Sequence, residues 1–451
     1  MKDRALRAAI ALLAERKPGS LQTRLGDLRT QGAGKRARRV SAWTHGALRR
    51  RRTLGVVLGA VAKRALKGRP PRTIAILELS AYRLIFEGEA LSEVLADLDR
   101  LGESKKLRAH VDRVLGALEA RIAGREALDA AALGEDDTLI PLSRTEQLRF
   151  DRALLGITER RLSTRLGVAC SLPNPLVEAW LEAHGEETTR ELCQAANDPP
   201  SLFLRANLHA TTPEALVESL REDEVVVEPT DVAGGLRLGA GRFRSTNAWR
   251  EGWFSIQDLT AQRVAPLLAP VAGEGILDLC AAPGGKTTHL AELSGDAAKI
   301  LACDLKEKRL RRIHQNVTRL GLSSIRTQRQ DGHHAAEELA FEGPFAGILV
   351  DAPCSNTGVV RRRPEARWRY DRRSQARLTG AQRKLLEEAA SLLAPEGRLV
   401  YSLCSIEPDE GSALVASFLE TRPDLKLDHE ELWLPSPLGG DGGYAARLVR
   451  R

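Results

Sequence analysis

Two thiols carry the most specific chemical signal in this sequence. Asp351-Ala352-Pro353-Cys354-Ser355 and Ser402-Leu403-Cys404-Ser405 each set a cysteine beside a serine, directly after an apolar run. A lone cysteine usually serves as a small buried hydrophobe. Two of them at neighbouring strand ends are candidates for covalent chemistry. A free thiol has a pKa of about 8.5, so a working site must lower it with nearby positive charge. Lys286 and the Arg361–Arg363 run are the cations that could do so. The six cysteines fall at 170, 193, 280, 303, 354 and 404, with no CxxC pair. That is neither a disulfide framework nor a zinc site, and no metal is expected.

A third motif could hold a ligand. Cys280-Ala281-Ala282-Pro283-Gly284-Gly285-Lys286-Thr287 follows an apolar run and opens a helical pattern. Gly284 and Gly285 allow close backbone approach, and a helix N-terminus favours a negative or polar group. The loop is one residue from a P-loop, with Cys280 where GxxxxGK[ST] needs glycine, and the apolar run ending at Asp351 could pass for a Walker-B strand. An ATPase is therefore one reading. The stiffer Ala281-Ala282-Pro283 and an acid, Asp304, ending the next strand favour another: adenosine with its ribose hydroxyls on Asp304. A thiol beside an adenosine methyl donor suits attack on a pyrimidine. Addition at carbon 6 makes carbon 5 an enamine nucleophile, and a base then removes the carbon-5 proton.

These residues need a scaffold, and the patterning supplies one. Gly275–Cys280, Ile300–Asp304, Ile325–Gln330, Phe345–Asp351 and Arg398–Cys404 are apolar runs, most of them separated by helical patterns such as Lys306–Leu320 and Ala376–Ala394. That alternation predicts a parallel α/β sheet with ligands beyond the carboxyl ends of its strands. Upstream, residues 1 to about 125 read as helices, with apolar residues at three- and four-residue spacing in Ile74, Leu77, Tyr82, Ile85 and Phe86, and again in Val111, Val114, Leu115 and Leu118. Gly124–Thr138 reads as a linker. The mixed segment after it is expected to be helical over Gln147–Leu162 and Pro175–Ala183, with strands at Leu202–Arg205 and Val225–Val227.

The chain has 451 residues, 43% hydrophobic and 28% charged, which excludes wholesale disorder. No apolar run approaches the roughly 20 residues of a bilayer span, so no membrane role is expected. Asp3, Arg4 and Arg7 break the N-terminal apolar stretch, and a cytoplasmic protein is expected. The net charge is +8, unevenly spread. No acid stands between Asp27 and Glu78, whereas Lys35, Arg36, Arg38, Arg39, Arg49–Arg52, Lys63, Arg64, Lys67, Arg69 and Arg72 do. Such density fits a polyanion. A second basic stretch, Arg361 to Arg373, interleaves Trp368 and Tyr370, which suits single-stranded RNA.

The motifs DLCAAPGGKT (278–287), DAPCSNTGVVRRRPEARW (351–368) and YSLCSIEPDE (401–410) resemble the RNA cytosine-5 methyltransferases of the Sun/Fmu (RsmB, NOL1/NOP2/Sun) family, which act on small-subunit ribosomal RNA with S-adenosylmethionine. The resemblance extends upstream through Glu251–Asp258 and Pro175–Asn207. It implies a Rossmann-like class I methyltransferase domain (246–451), a small α+β middle domain (140–245) and an all-α NusB-like RNA-binding domain (1–135). It implies a donor site of Cys280, Ala281, Ala282, Pro283, Gly284, Gly285 and Lys286 with Asp304, Asp331 and Asp351. The catalytic set would be Cys404 as nucleophile, Cys354 as second thiol, Asp351 and Lys286. Which thiol attacks comes from the resemblance alone. The implied partner is RNA, 16S ribosomal RNA first and transfer RNA second, with a monomeric enzyme expected; an assembly factor with an idle domain is the non-catalytic alternative. Leu403, Gly411 and the Asp441-Gly442-Gly443-Tyr444 segment depart from the family pattern, as does Asp112-Arg113 in the N-terminal domain. His333 and His334 have no pairing acid or metal ligand in the sequence and read as surface residues.

Overall fold

The computed structural model describes residues 2–15, 21, 25, 34–62, 66 and 68–451. Lys63, Arg64 and Lys67 of the basic run, and the side chain of Lys35, lie outside the described residues. The chain divides into two compact units: Met1–Pro199 with Val360–Asp371, and Pro200–Val359 with Arg372–Arg451.

The first unit begins with helices Lys2–Ala14, Gly34–Arg49, Arg51–Val61, Pro71–Ile85, Leu91–Arg100 and Lys105–Glu119. Pro71–Ile85 is the core helix: nearly every residue from Ile74 to Ile85 is buried, as an all-round apolar sequence requires. Its one buried cation, Arg83, is neutralised by Glu89 at 2.5 Å and Asp97 at 2.7 Å and lies over the Trp43 ring. Contrary to expectation, residues 1–135 are not purely helical. A three-stranded antiparallel sheet comes next, with strands β1 (Ile122–Ala127), β2 (Leu139–Pro141) and β3 (Glu146–Phe150) in the order β1-β3-β2. Two expectations fail here together. The Gly124–Thr138 linker opens as a strand, and Gln147–Leu162 is a strand and turns rather than a helix. Leu148 and Phe150 stand two residues apart, which puts them on one face of a strand and on opposite faces of a helix, and that signal is lost once a linker reading removes the partner strand. A division at 135 would cut this sheet, and one at 245 falls inside the second unit. Helices Leu162–Ala169 and Asn174–Ala195 complete the unit, the latter bent at Gly185.

The Arg49–Arg52 cluster of the basic run is consumed inside this unit. Arg49 donates to the Arg361 carbonyl at 2.8 and 3.0 Å. Arg50 donates to the carbonyls of Pro141 and Leu142 and covers the Phe86 ring. Arg51 reaches Glu78 and the Leu13 carbonyl, and Arg52 the Leu172 carbonyl. The second basic stretch behaves alike, because Val360–Asp371 belongs to this unit. Arg361 and Arg367 are buried, and Arg367 donates to the carbonyls of Arg49, Ser171, Ala196 and Val360 and to Asn197 Oδ1. Trp368 donates to the Leu48 carbonyl. These guanidiniums are fold-forming clasps on backbone oxygens, not a free RNA surface.

The second unit opens with β4 (Phe203–Ala206), β5 (Val226–Pro229), β6 (Gly235–Ala240) and β7 (Phe254–Ile256), antiparallel in the order β5-β6-β4-β7. The next seven strands are β8 (Gly275–Asp278), β9 (Lys299–Asp304), β10 (Ile325–Arg329), β11 (Phe345–Asp351), β12 (Leu393–Leu403), β13 (Leu425–Trp433) and β14 (Gly443–Arg450). They form one sheet in the order β10-β9-β8-β11-β12-β14-β13, parallel through β12 and closed by the antiparallel β14 and β13. All five expected core strands are present. The expected crossover helices occur as Glu307–Leu320 and Arg372–Ser391. The direction of winding reverses between β8 and β11, which creates the crevice at which such sheets bind ligands. Among the described residues no helix is long and apolar enough to cross a membrane.

Truncating Arg367 to methionine leaves five buried oxygens without their donor. The loss is about 3 kcal/mol or more. Arg367→Met is therefore expected to lower the melting temperature of the full chain and to speed amide exchange around Leu166–Leu172 and Leu192–Asn197. Unchanged exchange there would contradict the clasp.

Candidate active site

The registry of β11 on β12 sets Asp351 opposite Ser402, so the two thiols emerge at adjacent strand ends. Their Sγ atoms stand 3.3 Å apart. Cys354 is buried and Cys404 half-buried. The loops carrying them are stitched together. Ser355 Oγ lies 3.0 Å from Ser405 Oγ, Thr357 Oγ1 accepts from the Ile406 amide, and the Gly358 amide donates to the Cys404 carbonyl. The Glu410 carboxylate, fully buried, accepts from the Ser355 amide at 3.0 Å and the Ser355 hydroxyl at 2.7 Å. Asn356, beside the thiols, has a positive φ of 62°, a conformation asparagine tolerates better than most side chains. Its Nδ2 donates to the Cys354 carbonyl at 2.7 Å, while its Oδ1 faces the Cys404 thiol at 3.3 Å. The hydrogen bond with Cys404, followed by burial, pushes the Cys354 thiol well up, so Cys354 rests protonated.

Across the switch point, Lys286 Nζ pairs with Asp351 Oδ2 at 2.7 Å, and Ser402 Oγ donates to Asp351 Oδ1 at 3.1 Å. Burial works against the Lys286 charge, but the Asp351 carboxylate outweighs it, with Cys404 contributing in the same direction, and the ammonium is held charged. Of the cations expected to act on the thiol, Lys286 is the one whose charge interacts with Cys404. The Arg361–Arg363 run, the other candidate for that task, belongs to the first unit, and Arg361 is buried there.

The Cys280–Thr287 loop leaves the end of β8 packed rather than open. Ala281 and Ala282 form a small apolar cluster with Ala302, Leu310 and Ile313. Gly284 has a φ of 97°, and a Cβ there would stand 3.2 Å from Ile313, so both the conformation and the space require glycine. Asp304 is buried at the end of β9, where it accepts from the Lys306 amide and pairs with Arg309. Arg309 also donates to the Ala282 carbonyl, tying Asp304 to the loop. Asp331 comes just after β10 and caps the turn Gly332–His334 through the His333 amide. The sequence-predicted residues therefore lie at the ends of five neighbouring parallel strands. Direct contacts join Lys286 to Asp351 and one thiol to the other.

Sequence reasoning missed four members. Asp278, at the end of β8, is buried and accepts from Thr287 Oγ1 at 2.7 Å. Its Oδ1 has no hydrogen-bond partner among the described residues. Burial pushes its pKa up to about 7, with the Asp351 charge adding to the rise. Asn356, Ser402 and Glu410 stand inside the quoted motifs, and only their contacts reveal what they do. The departures from the family pattern also acquire a cause. A Cβ at Gly411 would stand 3.1 Å from the Tyr444 ring, so glycine at 411 accommodates that buried ring. Gly442 and Gly358 pack backbone to backbone, with the Gly442 amide donating to the Gly358 carbonyl at 2.8 Å.

A doubly wound sheet closed by an antiparallel pair, with a glycine-bearing loop at its switch point, is the Rossmann-like class I methyltransferase fold. Residues 265–444 match the family model described as 16S rRNA methyltransferase RsmB/F, and residues 172–242 match its ferredoxin-like domain. A Synechocystis protein named as a probable ribosomal RNA small subunit methyltransferase B is 33% identical over 414 residues, covering 90% of this chain and 85% of its own. A Salmonella arizonae methyltransferase B is 37% identical over 271 residues, 58% of this chain and 62% of its own. Among solved structures, a methyltransferase homolog from Pyrococcus horikoshii aligns with a TM-score of 0.56 at 25% identity, over 63% of this chain and 98% of its own. The chain belongs to the Sun/RsmB family of RNA methyltransferases.

The raised pKa of Asp278 has a measurable consequence. A carboxyl that titrates near 7 when folded and near 3.8 when free favours the folded state at low pH, and that contribution is lost as pH rises through about 7. Melting temperature should therefore fall between pH 5 and about 8 in the wild type and fall less in Asp278→Asn. Parallel profiles for the two proteins would show that Asp278 titrates normally.

Proposed function

We propose that the chain transfers a methyl group from S-adenosylmethionine to carbon 5 of a cytosine in RNA, with 16S ribosomal RNA as substrate, through a covalent bond between Cys404 and carbon 6. The observation that carries this reading is the pair of thiols 3.3 Å apart beside a charged Lys286–Asp351 pair. A single thiol would serve an ordinary nucleophile; two in contact suit a reaction in which one adds and another helps it leave.

The loop fits the donor. Gly284 leaves no side chain over the helix N-terminus, and the unpartnered Asp278 Oδ1 is an acceptor for a cationic group. Cys280 to Lys286, with Asp304, Asp331 and Asp351, would hold S-adenosylmethionine, which supplies an electrophilic methyl group. The Lys286 ammonium favours the Cys404 thiolate, whose sulfur adds to carbon 6 while the ring double bond's electrons move to carbon 5. As negative charge develops at ring nitrogen 3, the Lys286–Asp351 pair supplies a proton there and takes it back on release, while Ser402 steadies Asp351. After methyl transfer the carbon-5 proton departs to a base, the electrons re-form the ring double bond, and the carbon–sulfur bond breaks to return Cys404. Cys354, protonated at rest, is the group in contact with the leaving sulfur and assists this release. The helical N-terminal segment, which resembles a NusB-like domain, would engage RNA, and its exposed Arg38 and Arg39 are cations left available for that.

Cys404→Ser should abolish methyl transfer while leaving S-adenosylmethionine binding intact, and Cys354→Ala should accumulate a protein–RNA adduct visible on a denaturing gel. A fully active Cys404→Ser would refute the nucleophile assignment. Labelled methyl transfer to protein-free 16S ribosomal RNA and to unmodified transfer RNA, with 5-methylcytosine mapped in each, decides the substrate. Label on transfer RNA alone would keep the chemistry and overturn the RNA.

A further inference from the structure

Arg205 lies on β4, outside every motif of the candidate site, and is fully buried. All five of its N–H donors have partners. Nε and Nη2 grip the Glu292 carboxylate in a two-pronged pair, at 3.1 and 2.6 Å. Nη2 also donates to Thr288 Oγ1 at 3.2 Å. Nη1 donates to Gln257 Oε1 and, at 2.7 Å, to the carbonyl of Gly285. Gly285, Thr288 and Glu292 are spaced by three and four residues, so they share one face of the helix Gly285–Leu293. The neighbouring positions point elsewhere: Lys286 to Asp351 on β11 and Thr287 to Asp278 on β8.

We propose that Arg205 is a positioning residue for the methyl donor: by holding the Gly285 carbonyl and the helix behind it, it sets the height and rotation at which the Cys280–Lys286 loop meets S-adenosylmethionine. The inference rests on the proposed donor site. Its physical basis is that successive helix residues are rotated by about 100°, so a helix free to turn would carry Lys286 away from Asp351 and the loop amides away from the donor. Polar ties to β11, to β8 and to Arg205 fix that rotation, and Arg205 makes the one on the far face. A guanidinium is needed because a lysine, with a compact point charge, cannot serve the carboxylate, Gly285 and Gln257 together. Neither Nη1 bond goes to Glu292: one is directed at Gly285, the loop end of the helix, and the other at Gln257.

The test separates positioning from plain stability. Arg205→Lys is expected to weaken S-adenosylmethionine binding by calorimetry, and to raise its KM, by about tenfold, with the KM for RNA within about twofold of wild type. The double variant Arg205→Met with Glu292→Leu removes the buried charges together and should largely restore melting temperature. Donor affinity should stay low in it, because Gly285 and Gln257 still lack their donor. Wild-type donor affinity in Arg205→Lys, or affinity that recovers along with stability in the double variant, would overturn the proposal. Failure of the wild type itself to bind S-adenosylmethionine would instead overturn the donor site, and that outcome is read without any variant.

Discussion

The parallel pairing of β11 with β12 is the constraint on which the site depends. With Asp351 opposite Ser402, the chain must run three residues to Cys354 on one strand and two to Cys404 on the other before either loop can turn away. A slip of one residue would send alternate side chains to the opposite face and part the sulfurs. The buried Glu410 locks this arrangement, since its carboxylate takes both donors of Ser355. Glycines at 358 and 442 let the closing backbone approach where any side chain would intrude. The thiol contact is thus the product of sheet registry, one buried acid and two missing side chains.

Around that contact the charges are arranged in opposition. Lys286 keeps its proton because Asp351 is beside it, whereas Asp278, deeper and without a cation in contact, drifts towards neutrality.

The strand ends, the loop and both thiols are legible in the sequence because they coincide with abrupt changes of residue type. Parallel strands buried on both faces read as continuous apolar runs, so the small, polar and thiol residues at their ends stand out. The arginines mislead for a related reason. Composition registers their charge and not their partners, so Arg49–Arg52, Arg361 and Arg367 look like an RNA surface when most donate to backbone carbonyls. Arg205 escapes notice altogether, since a single cation in a short strand has no periodicity to betray it. The helix expected over Gln147–Leu162 fails because a strand is defined by its neighbour, and that neighbour itself reads as a linker.

The excursion of Val360–Asp371 into the first unit has a consequence for dissecting the molecule. The polypeptide passes between the two units three times, at 199–200, 359–360 and 371–372. Removing residues 1–199 would strip away Arg49, Ser171, Ala196 and Asn197 while leaving Arg367 behind, a buried cation turned out with almost no oxygen to receive it. The strip that misfolds would begin six residues after Cys354. An amino-terminal deletion therefore also disturbs the segment that follows Cys354, and a loss of activity on deletion would say nothing about whether the missing part recruits RNA.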